Sequence, residues 1–203
     1  MTAAGKKLAA AGLASHGLAS VVRDGAPTPF RDIHRVLLIL QKLKLPHVLI
    51  GGWAVIAWGY LRASEDIDLM VDLPSSQRSE LLAALAEDYK PEWHAGGQDD
   101  PIPGMIRAQP RSAGDFPVDL ILPRGRVDRA AISRAVSITA EGITIPIARP
   151  EDLIAMKLEA GGGQDYEDAQ RLLDVLKGRL DEMMLQEACK SRKVLDRLAF
   201  LRR

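Results

Sequence analysis

Asp66 and Asp68 stand two residues apart in the run Asp66-Ile67-Asp68-Leu69-Met70-Val71. In a strand, alternate residues share a face, so Asp66, Asp68 and Met70 point one way and Ile67, Leu69 and Val71 the other. Two carboxylates on one strand face can grip a cation between them. Mg²⁺ prefers such hard oxygen ligands and keeps waters and substrate phosphates as the rest of its shell. A solvated acidic face would show the same alternation, but Asp is depleted in strands, and two of them mid-strand ask for a reason. Just upstream, Gly51-Gly52 follows the apolar Val48-Leu49-Ile50 and opens a helical stretch. Backbone N–H groups at such a helix start favour phosphate. The pattern points to a combined phosphate and metal site.

Two further stretches carry charge where apolar residues belong. Phe116 to Leu122 reads as a strand with Val118, Leu120 and Leu122 on one face and Asp119 with Ile121 on the other. Alone, Asp119 fits a salt-bridged core residue equally well; beside Asp66 and Asp68 it completes a cluster of three carboxylates. In 150–159, Leu153, Ile154 and Leu158 form a helical apolar stripe with Lys157 in its middle, whereas Glu151, Asp152 and Glu159 mark the expected surface side. Snorkelling explains such a lysine; so does an inward-facing anion. Asp165 opens the next helix, where an acid also suits the helix dipole.

The elements that must position these groups follow from periodicity and punctuation. Ile33, Val36, Leu37, Leu40 and Leu43 predict a helix over 31–45, stopped by Pro46. His47–Ile50 is the first core strand, with His47 a polar strand-end residue. A short helix ends at Gly59, the acidic strand covers 66–72, and an amphipathic helix runs from Arg78 to Asp88 with Leu81, Leu82 and Leu85 inward. This rhythm predicts an α/β fold. Residues 91–104 show no clear pattern beyond a loop at Gly96-Gly97-Gln98-Asp99-Asp100-Pro101, and Met105–Gln109 reads as a strand. Residues 128–135 read as a helix and 136–147 as a hairpin about Glu141-Gly142. Pro146 predicts that the second arm is an edge strand. Arg149-Pro150-Glu151-Asp152 signals a helix start, Gly161-Gly162-Gly163 a break, and 165–177 a helix facing inward through Ala169, Leu172, Leu173 and Leu176. One or two helices close the chain over 181–201.

Composition bounds the class. The chain has 203 residues, is 47% hydrophobic, and balances 27 Lys+Arg against 27 Asp+Glu. That suffices for a real core and argues against a surface built wholly for nucleic acid. Its single cysteine, Cys189, rules out a disulfide framework and a cysteine-based zinc site and fits a buried helical position in a reducing cytoplasm. No apolar run reaches the roughly 20 residues of a membrane span. Residues 1–30, Ala/Gly-rich and ending at Pro27-Thr28-Pro29, read as a flexible N-terminal arm despite Lys6 and Lys7 before a weakly apolar stretch. Residues 31–148 then form the α/β core, and 149–203 a helical region packed on it.

Taken together, Gly51-Gly52-Trp53-Ala54, Arg62-x-Ser64-x-Asp66-Ile67-Asp68-Leu69, Val118-Asp119-Leu120, Pro150 to Leu158, and Asp165-Tyr166-Glu167-Asp168 resemble the nucleotidyltransferase superfamily. The nearest branch is the AbiEii type, many of whose members are toxins of bacterial toxin–antitoxin pairs. The resemblance spans about residues 47–176 in the right order. It implies a mixed sheet flanked by helices, with C-terminal helices following. It implies that Asp66, Asp68 and Asp119 hold Mg²⁺ or Mn²⁺, with Asp119 also activating the acceptor. Gly51 and Gly52 would approach the phosphates of an NTP, ATP among the candidates, with Ser64 and Arg62 close by. Lys157 would reach a phosphate or the acceptor, and Asp165 would orient it.

Two departures stand out. The family continues beyond its lysine with a basic residue and then Lys-Asp, where this chain has Gly161-Gly162-Gly163-Gln164-Asp165. Many members have Gly-Ser where this chain has Gly52-Trp53, which removes a hydroxyl. The Gly-Gly-Trp-Ala wording is also similar to aminoglycoside-type nucleotidyltransferases. Three readings follow. The first is a transferase modifying tRNA or protein, with a cognate antitoxin as partner and a basic rim of Arg124, Arg126, Arg129 and Arg134 to receive tRNA. The second is a small-molecule, aminoglycoside-like transferase, with Asp99 and Asp100 in an acidic acceptor cleft. The third is a non-catalytic binding module, in which the aspartates do not converge.

Overall fold

The computed structural model describes residues 29–97 and 103–203. The expected arm therefore lies outside the described residues save for its last two, as do Asp99 and Asp100. The elements run α1 (Phe30–Lys42), β1 (His47–Leu49), α2 (Gly51–Ala57), β2 (Ile67–Val71), α3 (Arg78–Leu85), β3 (Tyr89–Ala95), β4 (Gly104–Pro110), β5 (Val118–Ile121), α4 (Arg126–Ser133), β6 (Val136–Ala140), β7 (Ile143–Ile147), α5 (Pro150–Ala160), α6 (Gly163–Val175), α7 (Glu182–Ser191) and α8 (Leu195–Leu201), with a 3₁₀ turn at Ser75–Gln77.

The seven strands form one mixed sheet in the order β3-β4-β5-β2-β1-β7-β6. The central strands β2 and β5 run parallel, with Asp68 opposite Asp119. That register alone sets two of the predicted acids side by side, on the face where their neighbours Ile67, Leu69, Val118 and Leu120 are not. The main core takes the other side of these strands, together with α1, α2, α3 and the inner faces of α5 to α8. A smaller apolar cluster of Val48, Ile50, Met70, Ile132 and Ala148 fills part of the acidic face.

One stretch without a pattern gains a strand, and two expectations are corrected. At the start of 91–104, β3 pairs antiparallel with β4 from Tyr89 opposite Pro110 to Ala95 opposite Gly104. β3 is an edge strand with only Tyr89 fully buried, so it tolerates Pro91 and carries no apolar alternation to betray it. Conversely, β7 is not an edge: it lies between β1 and β6. Its ladder with β1 is confined to Leu49 opposite Ile147 and the Ala148 N–H donated to the Leu49 carbonyl, so the missing N–H of Pro146 costs little pairing. Finally, Glu151 and Asp152 are buried rather than exposed. The Arg134 guanidinium donates to Asp152 at 2.6 Å, and Glu151 accepts from Arg149 and from the Asp181 N–H. His47 behaves as expected: its ring Nδ1 lies 2.7 Å from the Leu45 carbonyl. Cys189 is buried in α7.

Candidate active site

Asp68 sits on β2 and Asp66 in the bend just before it. Asp119 sits opposite Asp68 on β5. Ligand oxygens of Asp66, Asp68 and Asp119 all lie within 4.8 Å of one another. The convergence expected from the sequence is therefore present in the fold.

The glycine turn closes over this cluster. Gly51 has φ +64°, and a Cβ there would lie 1.8 Å from Asp68 Oδ2. No side chain fits, so the chain can make this close approach only with glycine. A Cβ on Gly52 would meet Ser64 Oγ at 2.2 Å and Arg62 Nη2 at 2.9 Å, which places Ser64 and Arg62 against the start of α2. The Gly52 N–H donates to Asp68. Ser64 Oγ lies 3.4 Å from the Asp66 carbonyl. Trp53 is buried and packs edge-on to Phe116 at 5.6 Å, so this side chain serves core packing.

Lys157 faces inward. Its Nζ lies 2.9 Å from Asp165 Oδ1 and 2.9 Å from Asp168 Oδ2. The glycine break explains how these acids return to it. Gly161 caps α5 in the left-handed region at φ +72°, and Asp165 accepts from the Gly162 N–H at 3.2 Å, folding the first turn of α6 back onto α5. Asp168 is fully buried and also accepts from Arg62 Nε at 2.8 Å and Nη2 at 2.9 Å. It therefore binds two cations that come from segments far apart in sequence. The sequence reading gave Asp168 no role; its signal was its place one turn beyond Asp165, on the same helix face. Arg107 was also passed over. It lies on β4 opposite Asp119, with Nε 3.7 Å from Asp119 Oδ1, and the inward alternation of Ile106 and Ala108 could have placed it there.

Electrostatics set the acids apart. Burial, then the neighbouring Asp66 and Asp119 charges, push Asp68 up to about 6, against the pull of Lys157 and the Gly52 N–H. Burial, with Asp66 adding, also raises Asp119, although Arg107 and His94 oppose it. Burial would lower the Lys157 ammonium, but hydrogen bonds to Asp165 and Asp168 outweigh it and hold the ammonium above its ordinary value. Asp119 Oδ1 is buried with no hydrogen-bond partner among the described residues. An orphaned carboxylate oxygen beside two other carboxylates is a donor set suited to a hard divalent cation, so the residues fit Mg²⁺ or Mn²⁺.

The basic rim is largely neutralised. Arg124 pairs with Glu159, Arg129 with Asp72 and Arg134 with Asp152.

Residues 35–197 match the family described as nucleotidyl transferase AbiEii toxin, type IV toxin–antitoxin system. The chain belongs to the AbiEii nucleotidyltransferase family. No protein with a curated description matches the sequence. Among solved structures, the solution structure of the antibiotic-resistance factor ANT(2″)-Ia shares the AbiEii protein's fold at 17% identity, over 86% of this chain and 97% of that one, with a TM-score of 0.52. The crystal structure of ANT(2″)-Ia in complex with adenylyl-2″-tobramycin is 20% identical over 79% and 96%, with a TM-score of 0.50. An antigenic nucleotidyltransferase-like protein from Paracoccidioides brasiliensis is 18% identical over 87% and 95%, at 0.49. At such identities the likeness to the two ANT(2″)-Ia structures is one of fold. No helix among the described residues is long and apolar enough to cross a membrane.

Proposed function

We propose that this AbiEii nucleotidyltransferase transfers an NMP from an NTP to an acceptor hydroxyl. The acceptor oxygen bonds to the α-phosphorus, the bond to the bridging oxygen of the β-phosphate breaks, and pyrophosphate leaves. The observation that carries this reading is the meeting of Asp66, Asp68 and Asp119 beneath Gly51. These three would hold Mg²⁺ or Mn²⁺, which when bound stabilises charge on the attacking and leaving oxygens. Asp119, raised by burial, takes the acceptor proton within hydrogen-bond reach. Gly51 and Gly52 let the triphosphate approach the backbone, with Ser64 beside them. Lys157 and Arg62 offset its charge while Asp165 and Asp168 hold them in place.

The acceptor is a macromolecule, tRNA or protein, rather than an aminoglycoside-like small molecule. Arg107, beside Asp119 and 45% exposed, suits an anionic acceptor and repels a polycation. With Arg124, Arg129 and Arg134 paired, binding does not rest on the rim expected from sequence. Convergence of the aspartates also weighs against a non-catalytic module. Activity belongs in the cytoplasm, where NTPs are available, with a cognate antitoxin as the expected partner.

The test is incubation with each labelled NTP, Mg²⁺, and total tRNA or cell protein, beside an Asp66→Ala/Asp68→Ala variant. Label reaches the acceptor with the wild type only. Transfer that survives the double substitution overturns the mechanism. Growth arrest on expression, relieved by the same variant, marks the toxin role.

A further inference from the structure

The two edges of the sheet are built differently. β3 carries Lys90, Pro91, Glu92 and His94, and charge and proline are what keep an edge strand from pairing with another chain. β6 reads Val-Ser-Ile-Thr-Ala, with no charge and no proline. It pairs with β7 on one side and with no described strand on the other. Ser137 and Thr139 are exposed, whereas Val136 and Ile138 are buried in the main core. A regular strand of this kind leaves a row of backbone donors and acceptors open.

Which groups are open follows from the turn. Glu141 and Gly142 have φ +50° and +75°, the two left-handed residues of a type I′ hairpin. Such a turn is closed by a hydrogen-bonded pair, here Ala140 with Ile143, and bonded and non-bonded pairs then alternate along the ladder. Ile138 with Ile145 and Val136 with Ile147 are therefore bonded pairs. Ser137 and Thr139, opposite Pro146 and Thr144, turn their N–H and C=O groups away from β7. Pro146 fits this parity, since a residue at its position donates nothing to β6. Outside the strand ladder, neither Ser137 nor Thr139 has a backbone partner among the described residues.

We propose that β6 pairs with the β6 strand of a second copy of this chain, antiparallel about a two-fold axis at Ile138. The open groups fix the register. Ser137 and Thr139 stand two residues apart, so an antiparallel copy sets each opposite the other as a hydrogen-bonded pair, with Ile138 opposite Ile138 between them. Hydroxyl side chains then meet hydroxyl side chains on the exposed face, and Val136 meets Ala140 on the buried one. Charge agrees. Glu141 is exposed and has no ion pair among the described residues. The register brings it opposite Ala135 of the second copy, beside Arg134, whose side chain is 38% exposed even while bonded to Asp152. The same operation on β3 would set Glu92 against Glu92.

The pairing has a consequence for the site. Cα partners across a sheet share a face, so Leu69, Leu49, Ile147 and Val136 lie on one side and Ser137 on the side of Asp68. The two-fold keeps that side common to both copies. Both aspartate clusters therefore open on the same face of one continuous sheet. Between the two copies of β2 lie β1, β7 and β6 of each, which sets the clusters roughly 34 Å apart before twist.

Sedimentation velocity of the full chain from roughly 1 to 500 µM, the range a small and transient interface calls for, reads the association. Two double variants test the register. Ser137→Lys/Thr139→Lys sets lysine opposite lysine at both bonded pairs; Ser137→Glu/Thr139→Lys sets glutamate opposite lysine. Within the chain both positions face only Pro146 and Thr144, so melting temperatures in dilute solution stay within about 2 °C of the wild type. The wild type dimerises as concentration rises, the lysine pair weakens this about tenfold or more, and the glutamate–lysine pair restores it. Amide hydrogen exchange on the wild type gives a reading that needs no variant. The Val136 and Ile138 amides are protected at every concentration, and those of Ser137 and Thr139 become protected only as the dimer forms. A wild type that stays monomeric overturns the proposal. So does a dimer indifferent to the lysine pair, a loss that the glutamate–lysine pair fails to rescue, or Ser137 and Thr139 amides that exchange equally fast at all concentrations.

Discussion

Replacing Asp68 with Asn should make the metal-free protein more stable. Asp68 is held up near 6 from an ordinary 3.8 because burial and the Asp66 and Asp119 charges disfavour its ionised form. A displacement of that size corresponds to about 3 kcal/mol between its two protonation states. The sign follows from linkage: a raised carboxyl stabilises the fold fully below pH 3.8, and that stability is lost as pH rises through 6. Above pH 7 the native protein therefore carries the whole penalty of an ionised Asp68. Asn removes the charge, and its amide oxygen can still accept from the Gly52 N–H. In EDTA at pH 7.5 the variant should gain about 3 kcal/mol in urea unfolding; at pH 5, where the native carboxyl is largely protonated, roughly half of that remains. Mg²⁺ should close the gap by stabilising the wild type and not the variant. A variant that is neutral or destabilised at pH 7.5, or a gain that is the same at both pH values, would refute the claim that Asp68 is electrostatically strained by its neighbours.

Two further substitutions probe the parts around that cluster. Asp168→Asn leaves Arg62 and Lys157 facing a neutral amide in a buried site, so it should cost about 2–4 kcal/mol in urea unfolding; the exposed Asp174→Asn, whose side chain accepts from Gln170, should stay within about 0.5 kcal/mol. Gly51→Ala forces a side chain into a left-handed backbone and onto Asp68 Oδ2, costing about 1–3 kcal/mol in strain and abolishing the rise in melting temperature on Mg²⁺ addition.

Much of the site was legible because its parts are local. Glycine at a strand–helix junction, acids alternating on a strand, and a lysine inside an apolar stripe each announce themselves within ten residues. α1, α5 and α6 followed their periodicity, and the hairpin of β6 and β7 its Glu141-Gly142 turn. What escaped depends on partners far along the chain. β3 is polar because it is an edge, and nothing local marks the strand that completes it. Glu151 and Asp152 look like surface acids until Arg134 and the Asp181 N–H arrive to bury them. Pro146 predicts an edge strand only if pairing on both sides is assumed to be long, and the β1 ladder here is short.

The same distinction accounts for the missing basic residue after Lys157. In a reading of adjacent positions, Gly161-Gly162-Gly163 removes a positive contact and weakens the case for a triphosphate site. In three dimensions the glycines turn α6 back so that Asp168 meets Lys157, and Asp168 in turn holds Arg62 from 106 residues earlier. In the proposed phosphate site, Arg62, from the segment between α2 and β2 and beside Gly52, would supply the second cation. A buried, fully paired carboxylate is expensive to desolvate, and a merely structural lysine on α5 would not need one. Spending it to fix two cations, one of them beside Gly52, makes sense where an anion of high charge must be met, and that supports the proposed phosphate site more than any one motif.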